Sequence, residues 1–361
     1  MKHPLIKYTL VIVLTVGALY LAARGVKFEE LWSAMKDASL MIIILGVVVM
    51  FMSHYVRSWR WKMFLRPMKD PTRVSSAFRA LIAAYGVNKV IPRSGDIVRP
   101  LVYWKREGVP LSGTIASILI ERLSDLIGLS LVLSIVFMLF LPDIQAGLPE
   151  LGNAAFLIMS VCTAAFIFGV LILFSEDKTL KVVHFLTKRL PEKFRLMVER
   201  AAYSFAKGLH HARTGMVLPL IIGTLGIWLL YAASLYVSLF AFDDPQLLAV
   251  GIKGCILLQA LSALAFLIPT PGGIGPYHAA ISGALTSIFG VSPDVAMAYA
   301  TLTHAANYII TAVVGIGFVL AEGVSLGDLS NATKGKATED MKKAGVKVDE
   351  IDTKIAGEQI I

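Results

Sequence analysis

The sequence predicts an all-α membrane protein that crosses the bilayer several times. Of its 361 residues, 56% are hydrophobic and only 16% are charged, and the mean hydropathy is +0.71. Soluble domains are about 45–50% apolar and about 25% charged, so this composition favours a membrane protein. A second observation is a series of apolar runs close to the roughly 20 residues that a helix needs to cross the hydrocarbon core.

Seven of these runs predict continuous transmembrane helices. They cover residues 5–23, 40–56, 114–141, 153–174, 216–241, 246–268 and 294–321. The first run carries Lys at its start and lacks an A-x-A cleavage site, and Arg24 and Lys27 follow it directly. It is therefore predicted to be a membrane helix rather than a signal peptide.

Two further apolar segments, 77–104 and 271–290, are interrupted by Pro, Gly and polar residues. Irregular backbone is tolerated at membrane depth only where it is buried in protein or lines a wet cavity. These segments are therefore predicted to be broken or re-entrant helices. Two interrupted segments of this kind are the sequence pattern that best indicates a transport site near the middle of the membrane.

The distribution of Lys and Arg predicts the orientation. The loops 57–79 and 175–213 are rich in both, whereas the connections 142–152 and 242–246 contain neither. The positive-inside rule places the two basic loops and the N-terminus in the cytoplasm. The net charge of +9 is then explained by these loops and by anionic lipid headgroups, so no nucleic-acid partner is expected.

Within the first basic loop, Arg57 and Arg60 alternate with Trp59 and Trp61, a pattern that suits the membrane interface. Residues 1–322 are predicted to form one integral membrane domain. Residues 323–361 are predicted to be a flexible polar tail.

The first interrupted segment holds an unusual polar stretch, N-K-V-I-P-R-S-G-D-I-V-R-P, at residues 88–100. The helix that follows carries three more charges in one turn. A charged side chain costs roughly 2.5–3.5 kcal/mol at the centre of the membrane, so these groups are expected to face the protein interior or a wet cavity. The candidate site residues of this region are Asn88, Arg93, Asp96, Arg99, Glu121, Arg122 and Asp125.

Two interpretations of these charges remain open. Three Arg balance three acids, so the set can be a self-satisfied ion network that only holds the broken segment. Alternatively, one or more Arg offers its fork to a lipid phosphate, while the carboxylates position the Arg or carry a proton.

The second interrupted segment contains F-L-I-P-T-P-G-G-I-G-P-Y-H at residues 266–278. Gly272, Gly273 and Gly275 allow turns closed to other residues, and the exposed amides of such a turn can bind an anion. His278 follows the turn and His304 lies in the last apolar run. Each His has either a structural hydrogen-bonding role or a role in proton relay or headgroup contact. No His or Cys set has metal-ligand spacing, so neither a metal nor a cofactor is expected.

Three stretches resemble the flippase-like family named for the transmembrane region of lysylphosphatidylglycerol synthetases. They are residues 88–99, the run I-L-I-E-R-L-S-D-L-I-G-L at 118–129, and the run P-T-P-G-G-I-G-P-Y-H-A-A at 269–280. The similarity covers roughly residues 5–322. Two positions depart from a common form of the pattern, because Asp96 and His278 stand where Glu is frequent.

The resemblance implies a multi-pass protein of the cytoplasmic (inner) membrane that moves polar-headed lipids between leaflets. Relatives are linked to aminoacylated phosphatidylglycerol, hopanoids and polyprenyl-linked sugars, so its partners are expected to be such membrane lipids. The soluble aminoacyl-transferase domain of the full synthetases is not expected here.

Two alternatives remain. The first is a lipid-modifying enzyme, a transferase or phosphatase, for which Asp96, Glu121 and His278 are the candidate catalytic groups. The second is a non-catalytic membrane partner of a lipid synthase.

Overall fold

The computed structural model describes residues 4–66, 72–90, 94–109, 111–147, 217–268 and 270–323. It also describes the short stretches 160–161, 163–164, 181, 184–185 and 187–188. Within these residues the regular secondary structure is helical and there is no strand, which confirms the all-α prediction. Most of the predicted span 153–174, most of the basic loop 175–213, Arg93 and the tail from residue 324 lie outside the described residues.

Eleven α-helices and one 3-10 turn make up the main elements of the described chain. They are α1 (Pro4–Ala22), α2 (Phe28–Asp37), α3 (Leu40–Leu65), α4 (Val74–Val90), α5 (Gly95–Glu107), α6 (Leu111–Gly147), α7 (Val217–Leu239), α8 (Pro245–Ala249), α9 (Gly251–Ala265), the 3-10 turn Pro271–Gly273, α10 (Pro276–Phe289) and α11 (Pro293–Ala321).

Three of these helices are long and apolar enough to cross a membrane. They are α3, residues Leu218–Leu239 of α7, and α11, with 26, 22 and 29 residues. The run 246–268, predicted to be one span, instead divides at Val250 into α8 and α9. Because α9 has only 15 residues, it is shorter than the roughly 20 that a crossing needs. The predicted number of seven spans is therefore not confirmed.

One end of the helix bundle, here called the basic end, is where α3, α5 and α11 finish and α4 and α6 begin. Glu322, just after α11, pairs with Arg106 of α5 at 2.5 Å and with Arg79 of α4 at 3.6 Å. The Arg73 amide, just before α4, donates to Glu107 at 3.3 Å. These contacts tie the ends of α4, α5 and α11 together.

The opposite end holds the start of α3 and α11 and the finish of α7 and α10. The Lys27 amide, before α2, donates to Asp294 of α11 at 2.6 Å. The Ser39 amide donates to the Ala241 carbonyl at 2.8 Å, which joins the start of α3 to the segment after α7. Since α11 runs from this end to the basic end, its middle marks the middle of the bundle.

Both segments predicted to be broken form pairs of helices. Helices α4 and α5 pack against each other, and both have their outer ends at the basic end. Helices α9 and α10 also pack together, but their outer ends lie at the opposite end. The described residues therefore form two helical hairpins whose outer ends lie at opposite ends of the bundle.

The tips of the two hairpins meet beside Tyr308, midway along α11. The Tyr308 hydroxyl donates to the carbonyl of Lys89, one residue before the end of α4. On its other side, the Tyr308 ring packs so closely on Gly272 that a Cβ there would lie 2.3 Å from Cε2. One side chain of α11 thus touches both interruptions.

A close crossing of α4 and α11 holds the first hairpin in place. A Cβ added to Gly315 would lie 2.4 Å from the Ile82 carbonyl oxygen and 2.6 Å from the Cα of Gly86. Such backbone contact is typical of membrane helices that pack through small residues. The crossing fixes the position of α4, and with it the hairpin tip.

Candidate functional site

Five charged side chains form a buried cluster between α3, α5 and α6. Glu121 of α6 accepts hydrogen bonds from Arg57 Nε of α3 and from Arg99 Nη2 of α5, each at 2.6 Å. Asp125, one turn along α6, accepts from Arg57 and, at 2.5 Å, from Arg60. Only 1% of the Glu121 side chain is exposed, and Arg60 is fully buried. We call these five residues the arginine cluster.

The spacing along each helix explains how the arginine cluster forms. Arg57 and Arg60 are three residues apart on α3, and Glu121 and Asp125 are four apart on α6, so each pair shares one helix face. Arg57 lies eight residues before the end of α3 at Leu65. At a rise of about 1.5 Å per residue, this is about 12 Å inside the basic end. The cluster therefore lies inside the bundle, away from its basic end.

Neutral partners orient the three guanidinium groups. Arg57 donates to the Tyr231 hydroxyl at 3.1 Å and Arg60 donates to Thr224 at 2.9 Å, both on α7. The Arg99 guanidinium stacks on the Trp61 ring, 3.8 Å from its centroid. Stacking and fork-shaped hydrogen bonding are the properties that distinguish Arg from Lys in buried sites.

The charges of the arginine cluster do not cancel. Three guanidinium groups face two carboxylates, which leaves one positive charge in excess. Within the described part of the chain, the Nε atoms of Arg60 and Arg99 are buried and lack a hydrogen-bond partner. Buried charges are normally paired and buried donors are normally satisfied. The cluster is therefore suited to attract an anion.

A separate ion pair joins the first hairpin to α6. Arg122 donates to Asp96, in the first turn of α5, and their side chains are 58% and 55% exposed. Although Arg122 neighbours Glu121 in sequence, it points away from the arginine cluster. An exposed ion pair lies next to a buried, positively charged cluster.

Asn88 shapes the tip of the first hairpin. Its side-chain oxygen accepts from the Gly95 amide at 2.7 Å, where α5 begins. A Cβ on Gly95 would lie 2.5 Å from Asn88 Nδ2 and 2.4 Å from the Ala84 carbonyl oxygen, so only glycine fits there. This contact brings the start of α5, and thus Asp96 and Arg99, against α4.

Glycine is required at the tip of the second hairpin for two reasons. Gly272, Gly273 and Gly275 have φ values of +60°, +78° and +94°, which side chains other than glycine rarely adopt. A Cβ on Gly273 would lie 2.3 Å from the Phe266 ring, and one on Gly275 would lie 2.7 Å from the Thr15 carbonyl oxygen of α1. Each of the three glycines packs closely against a neighbouring ring or backbone, so these residues shape the tip.

His278 and His304 face each other directly behind this turn. Their ring centroids are 5.1 Å apart, and the Tyr277 ring lies 4.7 Å from that of His304. Both His are buried, and within the described residues His278 Nδ1 and His304 Nε2 have no hydrogen-bond partner. Lys89, at the tip of the first hairpin, places its ammonium 4.9 Å from the Tyr308 ring centroid, on the next turn of α11 after His304.

The structure thus divides the predicted site residues into three groups. Arg99, Glu121 and Asp125 lie in the arginine cluster, whereas Asp96 and Arg122 form the exposed pair. Asn88, the three glycines, His278 and His304 lie at or behind the hairpin tips. Arg93 is outside the described residues. Among the described residues, no group of three or more His, Cys, Asp or Glu is placed so that it could hold a metal ion.

Sequence reasoning missed four residues of the site. Arg57 and Arg60 were predicted to lie at the membrane interface, but they neutralise Glu121 and Asp125 inside the bundle. Their three-residue spacing within an apolar helix was a usable signal, since it matches the spaced acids of α6. For Lys89 and Tyr308 no sequence pattern indicated that the two hairpin tips would meet.

The fold and the buried charges define a polytopic helical membrane protein with a polar site inside its bundle. The family model described as the lysylphosphatidylglycerol synthase TM region matches residues 8–315, and the chain belongs to this family. A curated relative, named glycosyltransferase AglD, from Haloferax volcanii, is 27% identical over 348 residues. The match covers 87% of this chain and 54% of the relative, so the chain spans about half of that protein's length.

Proposed function

We propose that this protein moves a phosphate-bearing lipid between the two leaflets of the cytoplasmic membrane. The headgroup crosses along the polar interior where the two hairpin tips meet, while the acyl chains stay in the bilayer. The basic end faces the cytoplasm, in agreement with the positive-inside rule. The membrane-lipid context of the family supports a lipid as the cargo.

The observation that carries this proposal is the positive excess of the arginine cluster. A phosphate that approaches the cluster gains attraction from a charge that no described carboxylate offsets. The low local dielectric strengthens this attraction compared with water. Because the cluster lies about 12 Å inside the basic end, it draws the headgroup away from the leaflet surface.

Arg122 is the residue that grips the phosphate in this mechanism. Among the described residues, its exposed guanidinium is held by Asp96 alone, and it can exchange that carboxylate for a phosphate with the same fork geometry. Asp96 then competes with the cargo, so that binding is moderate and the headgroup is released. The arginine cluster supplies the field and keeps α3, α5 and α6 aligned.

An enzyme that acts on a lipid-linked substrate, or a membrane partner of such an enzyme, is the second candidate. The observation that favours it is the name of the relative, a glycosyltransferase, of which this chain matches about half. Chemical conversion of a lipid by the purified protein would support this candidate. Leaflet exchange without any chemical change would support transport.

The headgroup class is tested with proteoliposomes that contain the intact protein. We expect faster exchange of fluorescent phosphatidylglycerol between leaflets, and no acceleration for a neutral glycosyl diacylglycerol with the same acyl chains. The reason is that only the first lipid offers a phosphate to Arg122. Protein-free liposomes give the background rate. Equal acceleration of both lipids, or of neither, would contradict the proposal.

A further inference from the structure

A cavity of about 360 Å³ lies between α1 and α10 at the opposite end of the bundle. Helices α1 and α10 are in contact at the hairpin tip, where Gly275 packs on Thr15, and the cavity opens further along, beside Leu21. Its volume is within the range of about 300–1,000 Å³ that is usual for small-molecule sites. It lies far from the arginine cluster, which is close to the basic end.

Three polar residues on the α10 wall of this cavity lead toward the buried His pair. Ser282, Thr286 and Ser287 line the cavity. His278, Ser282 and Thr286 are successive members of an i, i+4 series and so lie along one helix face. The Ser282 hydroxyl donates to the His278 carbonyl at 2.6 Å. A line of polar groups therefore runs from the meeting point of the hairpins to the cavity.

The buried start of this line has an unsatisfied polar atom. His278 is only 6% exposed, and its Nδ1 has no hydrogen-bond partner among the described residues. A buried ring nitrogen without a partner calls for an explanation, because such atoms are normally paired. A polar ligand that passes this point would satisfy it.

The outer rim of the cavity carries a cation that is free to bind. Arg24 lines the cavity directly after α1 and is exposed, and none of the described side chains forms an ion pair with it. Nearby Lys27, by contrast, is already paired with Glu30 at 2.6 Å. The remaining lining is apolar, with Leu21, Ala22 and Pro293.

We propose that this cavity is a second binding site for the phosphate-bearing headgroup, on the side of the membrane opposite the arginine cluster. The Arg24 guanidinium holds the phosphate, Thr286 and Ser287 contact its glycerol portion, and the apolar wall of α1 receives the start of the acyl chains. This inference rests on the proposed function, because it assigns a binding site for the same lipid on the far side of the membrane.

Binding at the cavity is tested by protection of an introduced cysteine. Cys162 and Cys255 are replaced by Ala, Ser287→Cys is added, and a membrane-impermeant thiol reagent is applied to the protein in detergent. Short-chain phosphatidylglycerol is expected to slow labelling several-fold, whereas the matching short-chain diacylglycerol without a phosphate leaves the rate unchanged. Inorganic phosphate, as a third addition, separates a free anion from a lipid headgroup.

Two charge variants identify the cation. Arg24→Gln is expected to abolish the protection, whereas Lys27→Gln, which removes the same charge three residues away, should retain it. The proposal is overturned if phosphatidylglycerol gives no protection, if diacylglycerol or inorganic phosphate protects equally, or if both charge variants behave alike. None of these outcomes depends on transport, so the site is tested even if the protein exchanges no lipid.

Two glycine substitutions test whether the cavity takes part in lipid movement. A Cβ on Gly283 meets no atom within 4 Å, so Gly283→Leu adds its side chain to the cavity without a clash at Cβ. Gly317→Leu is the matched control, because Gly317 also faces open space but lies on α11 and does not line the cavity. We expect several-fold slower phosphatidylglycerol exchange for Gly283→Leu alone. An equal exchange rate in both variants would overturn the role in transport, and absence of exchange by the intact protein would count against the proposed function itself.

Discussion

Glu121→Gln is expected to be among the most destabilising single substitutions in this protein. Glu121 is buried and accepts hydrogen bonds from Arg57 and Arg99 at 2.6 Å each. The amide has the same shape but no charge, so the arginine cluster would hold three cations against one carboxylate. Removing one partner of a buried ion pair costs roughly 3–5 kcal/mol. The free energy of unfolding, measured by denaturant titration in detergent micelles, should fall by about this amount.

Asp96→Asn is the matched control for that measurement. It makes the same chemical change, but on a pair whose side chains are more than half exposed. Exposed ion pairs contribute about 0–1 kcal/mol, so this variant should unfold close to the intact protein. If Glu121→Gln were equally mild, the arginine cluster would have to be hydrated rather than buried, and the positive excess would lose its significance.

Gly315→Val is expected to disrupt the crossing of α4 and α11. Its Cβ alone would lie 2.4 Å from the Ile82 carbonyl oxygen, and two further methyl groups would follow. Backbone atoms cannot give way as a flexible side chain can, so the two helices must separate. Overpacking costs typically about 1–3 kcal/mol, and more where backbone must move. The thermal unfolding midpoint in detergent should drop clearly.

The control for this substitution lies two residues further along the same helix. Gly317→Val introduces the same side chain, but a Cβ there meets no atom within 4 Å. Both variants replace glycine by valine in α11, so changes in helix propensity cancel in the comparison. Equal unfolding midpoints for the two variants would refute the close crossing and, with it, the placement of the first hairpin tip.

Much of the fold was predictable because its signals are local. Membrane crossing follows from composition and run length, and Pro and Gly mark the two interruptions. The shared face of Glu121 and Asp125 follows from helical spacing alone, and both contact Arg57. Each of these properties depends on residues close together in the chain.

The remaining features depend on how distant helices pack. Arg57 reaches Glu121 because α3 packs against α6, although the two residues are more than 60 positions apart in the chain. Sequence spacing does not reveal this contact, so Arg57 and Arg60 were predicted to lie at the membrane interface. The run 246–268 has the composition of a full span, yet it forms one arm of a hairpin with α10. Composition cannot distinguish a span from a hairpin arm of similar hydropathy.

These packing contacts give the site its form. Two hairpins from opposite ends meet at Tyr308, with the arginine cluster near the basic end and the cavity beside Arg24 near the other. In the proposed mechanism the phosphate is drawn in by the cluster, gripped by Arg122, and passed along the line of polar groups on α10. Competition from Asp96 and the moderate affinity of each binding site allow the phosphate to be released.

The role of Arg122 in lipid transport is tested by the rate of phosphatidylglycerol exchange in proteoliposomes for Arg122→Gln, compared with the intact protein and with Arg79→Gln. Arg79 is also an arginine in an ion pair, with a side chain that is 42% exposed, but it lies at the basic end, with Glu322. A charge-assisted hydrogen bond contributes about 1.5–3 kcal/mol, which corresponds to roughly 10–150-fold in rate. We expect Arg122→Gln to slow exchange by this factor and Arg79→Gln to leave it unchanged, with both proteins as stable as the intact one. Exchange at the intact rate by folded Arg122→Gln would contradict the proposal that Arg122 binds the phosphate during transport.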